Sequence, residues 1–250
     1  MVALLSREEC IFPYSYFEAV LREEGRQPWT FFELNGCPRQ LLVPMMQLAN
    51  LAAENAPRHL PSKRITRLVA EIETSIRKYV CPGGPLTDMV FRDDDAIEEE
   101  EEDFHLARDR YHCCEAFRYS LLIYILRIFT LRQVHDDRSR RRVRAQLSLL
   151  SRVTLDHISS CRPTSLIQKQ LLFPVFMAGA ETRTQSGRDI VRDYCERWYR
   201  KFGYQMYSTV LDTVQEVWME QDIGNESFWW ADVLDARRRR EGEHVQFCFG

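Results

Sequence analysis

Residues 171–181 read LLFPVFMAGAE. The stretch is almost wholly apolar, yet it carries two residues that ordinary helices avoid. Pro174 removes a backbone donor and Gly179 removes a side chain. Glu181 is its one charge, and Arg188 follows seven residues later. A proline inside such a helix predicts a bend that lets it wrap a neighbour. A glycine predicts a close backbone approach. A carboxylate in apolar surroundings requires a positive partner, and Glu181 with Arg188 is the expected pair across a short turn.

The rest of the 250-residue chain fits around a helical centre. Only 10 Gly and 10 Pro occur, while Leu, Arg, Glu and Ala are frequent, a mixture that favours helix. Apolar residues at 45 % provide for a core. The net charge of −3 indicates no partner by itself, but acids crowd near residue 100 and arginines near 140 and 238. The longest apolar run, YSLLIYILRIFTL (119–131), is interrupted by Arg127 and is too short to span a bilayer. No signal peptide precedes it, since MVALLSREEC turns polar at Ser6. The eight cysteines are scattered and form no C-x-x-C pair, as expected of buried thiols in a reducing compartment. A protein inside the cell, without membrane association, is the expectation.

Apolar periodicity predicts about eight helices and no sheet, in one irregular all-α domain over residues 1–250. The first is expected over 13–24. Pro38 suits the first turn of the next, where Leu41, Met45, Leu48 and Ala52 share a face and Pro44 introduces a bend. Ser62 caps a third, with Ile65, Val69, Ile72 and Ile76 as its stripe. Residues 86–103, dominated by acids, are expected as a long disordered or extended loop. A helix from about 104 to 131 becomes fully apolar and should lie at the centre. Asp136 and Asp137 start the next. Thr164 or Ser165 is expected to cap the helix containing 171–181, and Ser186 with Asp189 to cap its successor, which ends at Gly203. Two more helices follow, the last a short one over FWWADVLDARRRR (228–240).

The order of features in the last hundred residues is similar to that of the fungal-specific transcription factor domain, the helical regulatory region of fungal zinc-cluster regulators. Pro174, Phe176, Ala178-Gly179, Glu181, Arg188, Trp198 and Glu216-Val217-Trp218 carry the resemblance, and Gly36 and Pro38 in GCPRQLL match its usual first landmark. It covers roughly residues 30–235 and implies a non-catalytic regulatory domain of the nucleus, with the cytoplasm as the other compartment. Its implied work is to associate with a second copy or a co-regulator protein, or to sense a small-molecule effector. The zinc cluster with which that family binds DNA has no counterpart among these cysteines. Zinc is therefore expected only in an N-terminal zinc-cluster domain outside this sequence, and no cofactor or metal within it.

Other patterns point elsewhere. Asp94, Asp95 and Glu98 fit D-D-x-x-E, the magnesium–diphosphate motif of helical terpene cyclases, in which carboxylates one turn apart hold the metal. The motif comes cheaply inside an acidic run, and the second metal motif of those enzymes is not evident, so no enzyme is assigned. His105, Asp109, His112 and Cys113 share a helix face that could ligate a metal but reads more simply as a polar side. A purely structural scaffold is the third reading. The arginines at 138–144 and 237–240 suit a solvated face or nuclear import better than nucleic-acid contact. The chain is accordingly expected to form no sequence-specific DNA complex. A gel shift at physiological salt checks this, and a complex that resists competitor DNA would refute it.

Overall fold

The structure, a computed structural model, describes residues 2–10, 15, 36–55, 62–81 and 97–241. Among these residues there is no strand, and nine α-helices are present. They are α1 (Val2–Ser6), α2 (Arg39–Asn55), α3 (Lys63–Lys78), α4 (Ile97–Ile125), α5 (Asp137–Ser160), α6 (Leu172–Glu181), α7 (Gln185–Phe202), α8 (Gln205–Asp222) and α9 (Trp230–Glu241). Buried apolar side chains from all nine form one continuous cluster. But for Ser15, the helix expected over 13–24 lies outside the described residues.

The central element is α4. Its last turn, Leu121–Ile125, is apolar all round, and Phe117, Leu121, Ile123 and Tyr124 are fully buried. Helices α5 and α6 pack along it. Tyr124 donates its hydroxyl to the Leu4 carbonyl at 2.8 Å and so ties α1 to the centre. The helix passes into a π-helical turn, Leu126–Thr130, and then a 3₁₀ turn, Leu131–Gln133. Such a turn widens the backbone by one residue and redirects the side chains it carries. Arg127 lies within it.

The acidic stretch departs from expectation. Residues 97–103 are the opening turns of α4 rather than a loop, and 86–96, with Asp94 and Asp95, lie outside the described residues. Glutamate is a good helix former, and acids are favoured near a helix N-terminus by the backbone dipole. Glu101 also approaches His105 one turn on, at 3.6 Å, and Glu102 pairs with Arg162 at 2.8 Å. Arg162 then reaches Asp109, which is fully buried and accepts from both its backbone N–H (3.0 Å) and its Nε (2.8 Å). The carboxylate thus fixes the turn after α5 against α4. It is not part of a metal face: Asp109 is spent on Arg162, Cys113 donates to the Gly36 carbonyl, and His112 turns to His157 at 2.9 Å. Among the described residues no three metal-ligating side chains converge.

Several helix starts follow the expected chemistry. The Ser62 side chain accepts from the Ile65 N–H, and the Asp136 carboxylate accepts from the Ser139 N–H. Pro38 sits just outside α2, where its carbonyl accepts from the Leu42 N–H. Pro44 is buried inside that helix and leaves one carbonyl of the preceding turn without its usual donor. Two caps move. Thr184, not Ser186, caps α7, its hydroxyl accepting from Gly187. Neither Thr164 nor Ser165 caps α6, because a 3₁₀ turn (Gln168–Leu171) runs straight into it.

Asp109→Ala should cost roughly 3 kcal/mol, since it leaves the Arg162 backbone N–H without its acceptor and the guanidinium held only by the exposed Glu102. Glu102→Ala, at an exposed position, should leave stability nearly unchanged. Urea melts of the two variants check this. Equal effects would mean that Asp109 does not fix the turn.

Candidate functional site at the end of helix α6

All ten residues of α6 are buried. Complete burial denies water to both helix ends, so the unpaired backbone groups there must find protein partners. At the entry, Pro174 falls in the first turn, where a missing N–H costs little. The bend expected at Pro174 is therefore a junction instead, between the 3₁₀ turn and the α-helix. The hydroxyl of Tyr194 donates to the carbonyls of Gln168 (3.0 Å) and Lys169 (3.1 Å), and that of Tyr207 donates to Lys169 at 3.2 Å. Gly36 passes over this entry with φ +67°, and a Cβ there would stand 2.6 Å from the Gln170 Cβ. Only glycine accepts both the conformation and the approach.

At the exit three successive carbonyls are bound by side chains from two other helices. Ser151 of α5 donates to Ala178 at 2.7 Å. From α8, Trp218 donates its indole N–H to Gly179 at 2.8 Å, and Gln221 donates to Ala180 at 3.4 Å. The indole can reach because α8 lies close. A Cβ on Gly179 would meet the Val191 methyls at 3.1 and 3.3 Å and a Val214 methyl at 3.6 Å. The close approach predicted for Gly179 is thus observed, on α7 and α8 together.

Glu181 closes the helix, but its partner is not Arg188. It pairs with Arg127 of the π turn, Nε to Oε1 at 3.4 Å, and both side chains are about 95 % buried, with 4 % and 5 % exposure. Arg188 instead makes two 2.7 Å hydrogen bonds to Asp222 at the end of α8 and lies over the Trp218 ring at 5.3 Å. The expected pair fails for a simple reason. Glu181 points inward, where Arg127 is the nearest buried cation, while Arg188 sits on the outer side of α7. The Glu181–Arg127 contact is too long for a strong hydrogen bond, and Oε1 accepts none. Desolvation pushes the Glu181 carboxyl above the ordinary glutamate range, against the opposing pull of Arg127, Arg183 and Arg144.

Outside this pair the packing opens. Two adjoining hollows, about 330 and 220 Å³, share Arg127 and Arg144. Glu181, Arg183 and Glu226 line the first, and Arg140 and Trp229 the second. The Trp229 ring lies 5.2 Å from the Arg127 guanidinium, and Arg144 pairs with Glu226.

The remaining resemblance residues serve the same framework. Phe176 meets the fully buried Trp230 edge-on at 5.7 Å, so that tryptophan anchors α9 and is no stacking platform. Glu216 pairs with Arg237 of α9, which also donates to Thr213 at 3.0 Å. Trp198 is buried on the far side of α7, stacked on Phe202. The structure therefore gathers Gly179, Glu181 and Trp218 at one end of α6, with Arg188 holding the adjoining surface. Gly36 and Pro38 stand at the other end, and Trp198 and Glu216 brace the flanks. The sequence reading missed Ser151, Gln221 and Arg183, and took Arg144 only as part of the arginine run 138–144. Arg127 did carry a signal: a lone charge inside an apolar run demands a buried partner.

Gly179→Leu should destabilise the domain by roughly 1–3 kcal/mol or more, because it drives a side chain into Val191 and Val214. Gly224→Leu has open space around it, although its φ of +94° adds strain, and should cost about 1 kcal/mol. In a double-mutant cycle, Glu181→Gln and Arg127→Gln should couple by roughly 1–3 kcal/mol, whereas Glu181→Gln and Arg188→Gln should add to within about 0.5 kcal/mol. Denaturant melts decide both. A raised carboxyl pKa stabilises the fold fully below the ordinary value and progressively less as pH rises through the raised one. The stability of the unaltered protein relative to Glu181→Gln should therefore fall as pH rises above about 4.5. A relative stability that rose over that range would show that ion pairing outweighs desolvation.

The family model of the fungal specific transcription factor domain matches residues 1–248. No curated protein and no solved structure matches the sequence. With nearly its whole length matched, and with the all-α architecture the resemblance implied, the chain belongs to the fungal specific transcription factor domain family.

Proposed function

We propose that this domain is the non-catalytic control module of a nuclear transcription regulator, and that a small-molecule effector acts on it at the exit end of α6. A regulatory role follows from membership of the family. The effector is supported by one observation: a buried, imperfectly bonded ion pair opens onto a hollow where several elements meet. The π turn, α5, α6 and the segment leading into α9 all contribute side chains there. A ligand that binds one packing of these elements better than another shifts the balance between them, and packed helices respond in discrete steps.

The full chain fused to a heterologous DNA-binding domain provides the test, with output read from a reporter gene. Glu181→Gln should change reporter output about fivefold or more at unchanged protein level, in line with ordinary coupling energies. Arg67→Gln, on the exposed face of α3, should leave output unchanged. A folded Glu181→Gln protein with unaltered output would overturn the proposal.

A further inference from the structure

We propose that the two adjoining hollows beside the Glu181–Arg127 pair form a binding site for a small oxyanion, a dicarboxylate or a phosphomonoester, held by Arg127 and Arg144, which line both, with Arg183 on one side and Arg140 on the other. This rests on the effector reading given above and names the chemistry of the effector.

The charge balance points to an anion. Four guanidiniums border the two hollows, against the carboxylates of Glu181 and Glu226. Two positive charges therefore remain uncompensated within the lining. Glu181 does not fully neutralise Arg127, because burial holds its carboxyl toward the neutral form. Arg127 is itself buried, and its hydrogen bond to the described residues is a weak one, Nη2 to the Phe228 carbonyl at 3.4 Å. A buried guanidinium ordinarily satisfies its donors far better than this. Arg183 makes no hydrogen bond or ion pair with any described residue. The Arg144 Nε is buried and has no hydrogen-bond partner.

The geometry agrees. Guanidinium groups recognise carboxylate and phosphate through paired N–H donors, and several around one hollow favour a ligand with two negative charges. The Trp229 ring forms one wall of the second hollow. Volumes of about 330 and 220 Å³ suit a small metabolite and not a polynucleotide. Arg127 lies within the π turn, and π turns within helices occur frequently at functional sites. Anion binding would relieve repulsion among the arginines and tighten α5, the π turn and the α9 entry about a single point.

The test uses the full chain and two probes, succinate and inorganic phosphate, at constant ionic strength, with succinamide as the uncharged control. Tryptophan emission and melting temperature are followed as each probe is titrated. We expect a saturable response to one or both anions and none to succinamide. Arg183→Ala and Arg140→Ala lie at exposed positions and should fold normally, and each should weaken binding roughly tenfold, the worth of one charge-assisted hydrogen bond. Which anion saturates at lower concentration tells the carboxylate source from the phosphate source. A wholly unsaturable response, or saturable binding untouched by both variants, would overturn the site. So would displacement of the bound anion by a short DNA duplex, which would reassign the arginines to nucleic acid. If no anion binds while Glu181→Gln still alters reporter output, the control function stands and the ligand chemistry falls. If anions bind and output does not move, the reverse holds.

Discussion

The complete burial of α6 is the constraint on which the rest of the structure depends. A ten-residue helix cut off from water at both ends exposes carbonyls and N–H groups to a medium that cannot solvate them. At the entry a 3₁₀ turn runs into the helix with no side-chain cap and its own carbonyls take the tyrosine hydroxyls, while at the exit the carbonyls are met by side chains from elsewhere, and each such side chain fixes the position of the element that carries it. Tyr194 and Tyr207 place α7 and α8 at the entry. Ser151, Trp218 and Gln221 place α5 and α8 at the exit. The hydrogen bonds add specificity to a contact whose stability comes mainly from apolar burial. Helices that merely shared a hydrophobic face could slide, whereas helices whose polar groups must meet particular carbonyls cannot.

The charged end of α6 follows from the same constraint but is resolved less completely. Glu181 is placed where the helix dipole is already negative and where burial disfavours its charge. Arg127 compensates only in part. A buried ion pair with a long contact contributes little net stability and leaves residual polarity beside a hollow. Residual polarity of this kind is costly for a purely structural core and useful for a site that receives a ligand. The control function and the oxyanion proposed for it both rest on this contrast between the satisfied carbonyls of α6 and the unsatisfied charges beside them.

The hydrophobic pattern made most of the fold legible. The stripe Ile65, Val69, Ile72 and Ile76 and the caps at Ser62 and Asp136 follow from local chemistry that no tertiary contact contradicts. The acidic stretch was misjudged in part because self-repulsion was weighed without the dipole and without Arg162, sixty residues away from Glu102. The Glu181–Arg188 pair was misjudged because nearness in sequence was taken for nearness in space. A turn between two helices can direct neighbouring side chains to opposite sides, and Thr184 sets that turn here.

By itself the sequence determined that the chain is helical, that residues 171–181 are buried, that Gly179 permits a close approach and to which family the chain belongs. These depend on periodicity, backbone freedom and composition, which act over a few residues. Only the tertiary structure decided which charges meet, that Arg127 of a π turn pairs with Glu181, that Trp218 bonds the Gly179 carbonyl, and that four arginines border two adjoining hollows. The physical reason is range. A helix forms by contacts three and four residues apart, whereas a buried charge takes whichever partner packing brings to it, and packing is settled by the whole chain at once.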